Sequence, residues 1–241
     1  MTEDSSLADD VVFRPVRNGN AFEDTVARLL QAVRLGIVEP GGALPAERDL
    51  AVRFSVSRDT VRDAIRSLSE AGFLVARRGR YGGTFVSERL PPDGEGVPAT
   101  PVPTAAEIDD VLGLREILEV GAARAAAGRT LSADDRDVLW QRLAETSDAG
   151  ADDYRRLDSR LHLTIGQLVG TPTLVSLMAD NRTRVNELLD HIPLLQTNIV
   201  HSNRQHEAIV AAILTGNRDR AAETMREHLE GSAVLLRGFL A

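Results

Sequence analysis

The sequence lacks several features, and each absence excludes a class of protein. Its 241 residues contain no cysteine, which excludes disulfide bonds, thiolate metal ligands and a cysteine nucleophile. No apolar run approaches the roughly 18 residues needed to cross a bilayer, so we expect no membrane partner. The first ten residues are acidic and polar, the opposite of the basic start of a secretory signal. These absences favour a soluble cytoplasmic protein.

Lysine is also absent, so all 28 basic residues are arginine. An arginine-rich proteome accounts for that bias, but the distribution of charge along the chain is uneven. Residues 45–89 carry nine arginines and six acids, whereas residues 91–241 carry 15 arginines and 23 acids. The whole chain has a formal net charge of −8. The local excess of arginine therefore indicates an anionic partner for the N-terminal part.

Proline and glycine divide the chain into two parts. Residues 89–104, RLPPDGEGVPATPVPT, contain five prolines and two glycines among few large apolar residues, a composition typical of a linker. We therefore predict a first domain over 1–88, with its core at about 20–88, a linker over 89–104, and a second domain over 105–241.

The order of elements in the first domain is typical of a winged helix-turn-helix. The predicted elements are a helix over 22–38, a turn over 39–45, a short helix over 46–54, a helix from Arg58 and a hairpin over 73–87. Ser57 is placed to cap the helix that begins at Arg58. In such a unit this helix enters the major groove of DNA, with its first residues at the base edges.

Three residues at the start of that helix are candidates for DNA contact. Arg58, Thr60 and Arg62 lie off its apolar face and are positioned to reach bases and phosphates. The hairpin, or wing, adds three arginines that can reach the adjacent backbone or minor groove: Arg77, Arg78 and Arg80. The alternative is an ordinary solvated helix face, on which Asp59 pairs with Arg62 and Asp63 with Arg66. The order of elements favours DNA.

The stretch LPAERDLAVRFSVSRDTVRDAIRSLSEAGFLVARRGRYGGTFV resembles the DNA-binding domain of GntR-family transcription regulators over nearly all of residues 44–86. The resemblance implies a homodimer that binds a short palindrome of double-stranded DNA. The wing, Arg80-Tyr81-Gly82-Gly83, is a residue or two longer than in many members. Together with the cap and the wing, the implied DNA-binding set is Arg48, Ser57, Arg58, Thr60, Arg62, Arg78, Gly79 and Arg80.

The second domain is predicted to be an antiparallel bundle of six helices with short loops. Thr104 and Glu107 form the pattern of a capping box that opens the first helix, and Ser132 with Asp135 opens the second. With the winged helix-turn-helix before it, the fold class is mainly α with one small β-hairpin. No catalytic residues are predicted, and we expect no enzyme activity.

Four polar residues fall on the inward faces of these helices. Asp158 and His162 lie four residues apart and so project from one face, while His206 and His228 share faces with apolar residues of two later helices. One carboxylate and three imidazoles form a candidate site for a divalent metal with open coordination positions. The alternative is a set of core histidines, each hydrogen-bonded to a carbonyl.

The segments DSRLH, QHEAIVAAI and MREHLEG resemble the FCD ligand-binding domain of the FadR subfamily of GntR regulators, over about 107–235. The resemblance implies that Asp158, His162, His206 and His228 hold a metal. We expect zinc, with nickel or manganese as alternatives. The metal-free variant that binds acyl-CoA lacks this set of residues and fits less well. Thr171 stands where an Asn is frequent in the family, in a loop where we expect little consequence.

Two arginines are candidates for binding an effector. Arg115 lies on the buried face of its helix, and a buried guanidinium needs an anion. Its partner is either Glu119, four residues on, or the carboxylate of a ligand. The family has an arginine that lines the pocket at this position, which implies the ligand. Arg182 is the second candidate.

These inferences predict a DNA-binding transcription regulator, a repressor by the commoner family behaviour, controlled by a small organic acid at a metal site. One alternative is a sensor of fatty acids or acyl-CoA without a functional metal. A more remote alternative is a metal-dependent hydrolase fused to a DNA-binding module. No second carboxylate is evidently placed as a general base, which argues against the hydrolase.

Overall fold

The computed structural model describes residues 13, 21–79, 82–91, 103–192, 194 and 196–240. The chain divides into two compact units, Met1–Thr100 and Pro101–Ala241. Most of the predicted linker, 92–102, lies outside the described residues, as do Arg80 and Tyr81 of the wing. In the described ranges no helix combines the length and the apolar character required to cross a membrane.

Within its described residues, the first unit has three helices followed by a hairpin. Its elements are α1 (Ala21–Arg34), α2 (Glu47–Phe54), α3 (Arg58–Glu70), β1 (Leu74–Arg77) and β2 (Gly83–Val86). The strands pair antiparallel, with Leu74 opposite Val86 and Arg77 opposite Gly83. This order confirms the prediction of a winged helix-turn-helix.

The start of α3 follows from a local turn and a side-chain cap. Ser55 takes the left-handed backbone conformation (φ 56°) and reverses the chain after α2. Ser57 Oγ then accepts a hydrogen bond of 3.0 Å from the Thr60 N–H, which satisfies one of the free donors of the helix start. Four apolar residues of α3 are buried against the unit: Val61, Ala64, Ile65 and Leu68. Its opposite face is left to solvent.

Two predicted boundaries in this unit change in the structure. The first helix, predicted to reach residue 38, ends at Arg34 because Gly36 adopts a positive φ of 67° that turns the chain. The segment predicted as a plain turn also extends the sheet, since Ala43 bridges Phe85 and the Leu44 N–H donates to the Thr84 carbonyl at 2.8 Å.

The second unit is helical in all of its described elements, which confirms the predicted helical domain. The six helices are α4 (Ala105–Ala127), α5 (Ala133–Ser147), α6 (Ala151–Leu168), α7 (Pro172–Leu189), α8 (Gln196–Leu214) and α9 (Arg218–Leu240). Both capping boxes form, because Thr104 and Ser132 exchange hydrogen bonds with Glu107 and Asp135, respectively.

Helix α4 lies at the centre of the second unit. It packs against α6, α7, α8 and α9. One core cluster joins it to α7 and α9 through Ile108, Val111, Leu112, Val185, Leu188, Ile192, Ala233 and Leu236. This central position brings two charged residues of α4, Arg115 and Glu119, into the interior, where they are 3% and 1% exposed.

Candidate functional site

The solvent face of α3 carries the arginines predicted to contact DNA. Arg58 and Arg62 are both exposed. Arg62 contacts Asp59 at 3.0 Å and Glu47 at 3.2 Å, and Arg66 contacts Asp63 at 3.9 Å. The ion pairs expected for an ordinary solvated helix face, Asp59 with Arg62 and Asp63 with Arg66, are therefore present. Exposed pairs of this kind contribute little stability, so phosphates can replace the acids at small cost.

The remaining predicted contacts of the helix-turn-helix lie at the start of α3 and on α2. The hydroxyls of Ser57 and Thr60 are 2.8 Å apart, and the Ser57 side chain is exposed. Arg48 on α2 is also exposed, and its Nε donates to Asp49 at 3.1 Å. The first turn of a helix presents free N–H groups and a positive dipole end, which suit a phosphate.

The wing holds its arginines in different ways. Arg77 lies over the ring of Phe85, 4.6 Å from the centroid, and contacts Glu88 at 3.4 Å. Arg78 is exposed, and Gly79 has a φ of 108°, a conformation that favours glycine. Arg80 lies outside the described residues, so its predicted contact with DNA stays a prediction.

In the second unit, three helices bring the four predicted metal ligands together. Helix α6 contributes Asp158 and His162, α8 contributes His206, and α9 contributes His228. One ligand atom from each lies within 4.8 Å of the other three, and all four residues are buried. We call this group the Asp-His₃ cluster.

The spacing inside the Asp-His₃ cluster suits a metal ion. His206 Nε2 lies 3.4 Å from His162 Nε2, 3.2 Å from His228 Nε2 and 3.2 Å from Asp158 Oδ1. Nitrogen ligands about 2.1 Å from a tetrahedral zinc lie about 3.4 Å from one another. The observed separations match that arrangement.

The Nδ1 atoms of two histidines have hydrogen-bond partners, and these partners determine that the Nε2 lone pairs point toward the centre of the cluster. His162 Nδ1 contacts Glu119 Oε2, and His228 Nδ1 lies 3.2 Å from Gln205 Oε1. Both partners accept, so each Nδ1 carries the proton and each Nε2 presents its lone pair to the centre. Two facing lone pairs cannot hydrogen-bond to each other, whereas a cation between them satisfies both. The residues therefore fit a divalent metal.

The surroundings set the protonation states that metal binding requires. Burial lowers the pKa of His162 and of His228, and the neighbouring His206 lowers the pKa of His228 further. Burial alone would raise the pKa of Asp158, but Arg182 and His162 outweigh it and hold that pKa well below its usual range. Near neutral pH these groups are neutral imidazoles and a carboxylate, the forms that bind metals.

Arg182 is placed behind the Asp-His₃ cluster. It is fully buried, and its NH2 contacts Asp158 Oδ2 and donates to Ser159 Oγ at 3.2 Å. Its NH1 lies 3.6 Å from Glu119 Oε1. Sequence reasoning proposed Arg182 for effector binding, but among the described residues it is not one of those that line the adjacent cavity. Its contacts fix the orientation of the Asp158 carboxylate.

Glu119 is a functional candidate that sequence reasoning missed. Spacing along the helix indicates only a local ion pair with Arg115, and the Arg115 Nε does donate to Glu119 at 3.2 Å. It also contacts His162, 43 positions later in the chain, and Arg182. Burial alone would raise its pKa, but His162, Arg115 and Arg182 together hold the pKa of Glu119 well below its usual range. As a carboxylate it orients the His162 ring.

A cavity of about 470 Å³ opens beside the Asp-His₃ cluster and reaches it at Asp158 and His228. Arg115 lines this cavity, and its NH1 donates to Ser232 Oγ at 2.8 Å. Its Nε donates to Glu119, so Arg115 pairs with the local partner and also faces the space that a ligand would occupy. Further lining residues that sequence reasoning did not select are Tyr154, Ser202, Gln205 and Ser232. His201 is exposed at the cavity wall.

Two known families match the chain, one in each unit. The family described as "Bacterial regulatory proteins, gntR family" matches residues 22–86, which include the helix-turn-helix and the wing. The family described as "FCD domain" matches residues 110–231, half of the chain, and includes the four residues of the Asp-His₃ cluster.

Curated relatives align along most of the chain. A protein of Escherichia coli strain K12 named for regulation of the L-lactate dehydrogenase operon is 29% identical over 238 residues, covering 91% of this chain and 86% of the relative. The transcriptional regulator LutR of Bacillus subtilis strain 168 is 26% identical over 215 residues, 86% of this chain and 97% of the relative. The Uxu operon regulator of Haemophilus influenzae is 28% identical over 218 residues, 86% and 79% of the two chains.

Among solved structures, the one described as "E. coli McbR/YncC" aligns over 90% of this chain and 97% of its own, with a TM-score of 0.57. The two sequences are 17% identical. The match supports the fold alone.

Proposed function

Because the chain belongs to the GntR family of bacterial regulatory proteins and carries an FCD domain, it is a transcription regulator, and we propose that it is a cytoplasmic repressor controlled by a small carboxylate at a metal centre. The matched families and the relatives are transcription regulators rather than enzymes. The hydrolase alternative therefore has no support.

DNA is bound in this proposal by the exposed face of α3. Arg58 and Arg62 reach base edges and phosphates of the major groove, with Arg48, Ser57 and Thr60 at the phosphates beside them. The support is their exposure on the face opposite the buried residues of α3, together with the weak acid partners of Arg62. Arg78, Gly79 and Arg80 of the wing add contacts to the flanking backbone.

A homodimer is the assembly that we propose, since two copies read the two halves of a palindrome. Leu114 and Ile117 lie one turn apart on α4 and are 38% and 75% exposed, an apolar surface that a second copy would cover. Sedimentation of the purified protein should give twice the mass of one chain. Ile117→Arg should shift it toward the monomer, whereas Val138→Arg, at an exposed apolar residue of α5, should not.

Asp158, His162, His206 and His228 would hold the divalent metal, zinc first and nickel or manganese as alternatives. When bound, the metal supplies positive charge and open coordination positions for an anionic ligand. The observation that carries this proposal is the convergence of the Nε2 atoms of the three histidines beside a cavity that Arg115 also lines.

The effector in this proposal is a small organic acid whose carboxylate reaches both the metal centre and Arg115. The name of one relative refers to an L-lactate dehydrogenase operon, which supports an organic acid as the class. To regulate DNA binding, the acid must favour one spacing of the two DNA-binding units of the dimer over another.

A thermal-shift screen of the purified protein against small organic acids and acyl-CoAs tests this function. A ligand at about a hundred times its dissociation constant adds roughly 2.7 kcal/mol of stability, which a melt detects. We expect a shift with at least one small acid that a chelator abolishes. A shift with acyl-CoA alone, indifferent to chelator, would replace the proposal with the lipid-sensor alternative.

A further inference from the structure

We propose that the effector is a monocarboxylate with an apolar body, and that the cavity discriminates against dicarboxylates. This inference rests on the proposed function, because it takes the cavity beside the Asp-His₃ cluster as the effector site. It concerns the chemistry of the whole ligand, of which the proposed function specifies only the carboxylate.

The balance of buried charge favours an anionic head group. Two carboxylates, Asp158 and Glu119, and two guanidinium groups, Arg115 and Arg182, surround the three histidines, so the charged side chains cancel. A divalent cation would add two positive charges to this buried region. Uncompensated buried charge is costly, and an anion from the cavity reduces it.

The head group has one well-defined place in the cavity. Asp158 and His228 mark where the cavity meets the Asp-His₃ cluster, and Arg115, 3% exposed, lies in the same wall with its NH1 held by Ser232 Oγ. The planar guanidinium of arginine suits a carboxylate. A carboxylate at this wall would contact both the metal and Arg115.

An apolar body of the ligand has an aliphatic part of the cavity wall to pack against. Part of the cavity wall consists of aliphatic side chains: Leu189, Ile192, Val234 and Leu235. Val234 is 62% exposed, and a hydrocarbon body packed against it would remove that surface from water.

A second carboxylate meets like charge in the cavity. Glu227 and Glu230, on either side of His228 along α9, also line the cavity. Apart from Arg115, the arginine among the described lining residues is Arg155, which contacts Asp190 and donates to the carbonyls of Leu189 and Ile192. The Arg155 Nε is buried from solvent. The second charge of a dicarboxylate therefore lies near like charge.

Titration calorimetry with the full chain, supplied with zinc, tests the inference. Three 2-hydroxy acids share the same head group: 2-hydroxy-4-methylpentanoate has an apolar body, lactate has almost none, and malate has a second carboxylate. We expect 2-hydroxy-4-methylpentanoate to bind at least tenfold more tightly than either, because each buried methylene contributes about fourfold.

Two variants and one control test whether the named residues of the cavity wall set the preference among the three acids. Val234→Ser should reduce the preference for 2-hydroxy-4-methylpentanoate over lactate, whereas Val138→Ser, at an exposed valine of α5 outside the cavity lining, should leave it unchanged. The double variant Glu227→Gln with Glu230→Gln should raise the affinity for malate severalfold more than that for lactate.

The possible failures are distinguishable. Tighter binding of malate or lactate than of 2-hydroxy-4-methylpentanoate by the unmodified protein would overturn this inference and leave the carboxylate effector of the proposed function intact. If none of the three acids binds while zinc does, both the inference and the carboxylate effector are overturned.

Discussion

Two arginines of the first unit and two of the second differ sharply in environment. Arg58 and Arg62 on α3 are exposed, and the Arg62 side chain retains 51% of its surface beside two partly exposed acids. Arg115 and Arg182 in the second unit are 3% and 0% exposed and contact buried carboxylates. Arg58 and Arg62 are therefore open to an anion from solvent, whereas Arg115 and Arg182 already have buried carboxylate partners.

The difference teaches how solvent decides the role of an ion pair. In water, the attraction between Arg62 and its acids is screened, and exchanging them for phosphates changes the free energy little. In the interior, removing one partner leaves a charge that neither water nor another side chain compensates. The four predictions below test this contrast, beginning with the largest expected effect.

Arg182→Ala should lower the free energy of unfolding by about 3–5 kcal/mol in protein kept free of metal by a chelator, because Asp158 loses its buried partner. Arg184→Ala, two positions along α7, removes an exposed pair with Asp110 and should cost less than about 1 kcal/mol. Urea unfolding followed by circular dichroism measures both. Equal losses of unfolding free energy in the two variants would contradict the contrast between buried and exposed arginines.

Arg58→Ala and Arg62→Ala should each weaken specific DNA binding by about tenfold to a hundredfold, the effect of losing a base contact worth about 1–3 kcal/mol. The binding site can be selected from random duplexes with the unmodified protein, and affinity then measured by fluorescence anisotropy. Arg226→Ala, at an exposed arginine of α9 paired with Glu116, is the charge-matched control. Unchanged affinity in both α3 variants would remove α3 from the DNA interface.

Two helix caps, one in each unit, should separate stability from DNA binding. Thr104→Ala and Ser57→Ala each remove a side-chain acceptor at a helix start and should cost about 1 kcal/mol of stability. Only Ser57→Ala should also weaken DNA binding, because Ser57 lies at the proposed interface. Calorimetric melts and anisotropy on the same samples give both quantities, and an equal loss of affinity in the two variants would contradict this assignment.

Asp59→Asn should have the smallest effect. It removes one exposed acid beside Arg62, and the free energy of unfolding should change by no more than about 0.5 kcal/mol. DNA affinity should stay the same or rise, since Arg62 loses a competitor of the phosphate. A clear loss of DNA affinity would show that Asp59 positions Arg62 for binding.

Local patterns predicted the elements of the fold well. The apolar period of α3 and the caps at Ser57, Thr104 and Ser132 lie within a few neighbouring residues, where side-chain chemistry acts directly on the backbone. The end of α1 was predicted four residues late because Leu35 and Val38 are buried in the loop after the helix, which extends the apolar pattern beyond it.

Contacts between distant segments explain what the sequence did not reveal of the site. Asp158 and His162 lie on one helix turn, so their shared face was predictable from spacing. The contact of Glu119 with His162 and that of Arg182 with Asp158 join different helices through the packing of the bundle. No local pattern distinguishes such residues from the other charged residues of their helices.

The measurement that tests the central claim most directly is the metal content of the purified protein, before and after dialysis against zinc, beside that of His206→Ala. We predict about one tightly bound divalent ion per chain in the unmodified protein, and a large loss of it in the variant. An unmodified protein that binds no more metal than His206→Ala at saturating zinc would contradict the assignment of the Asp-His₃ cluster as a metal centre.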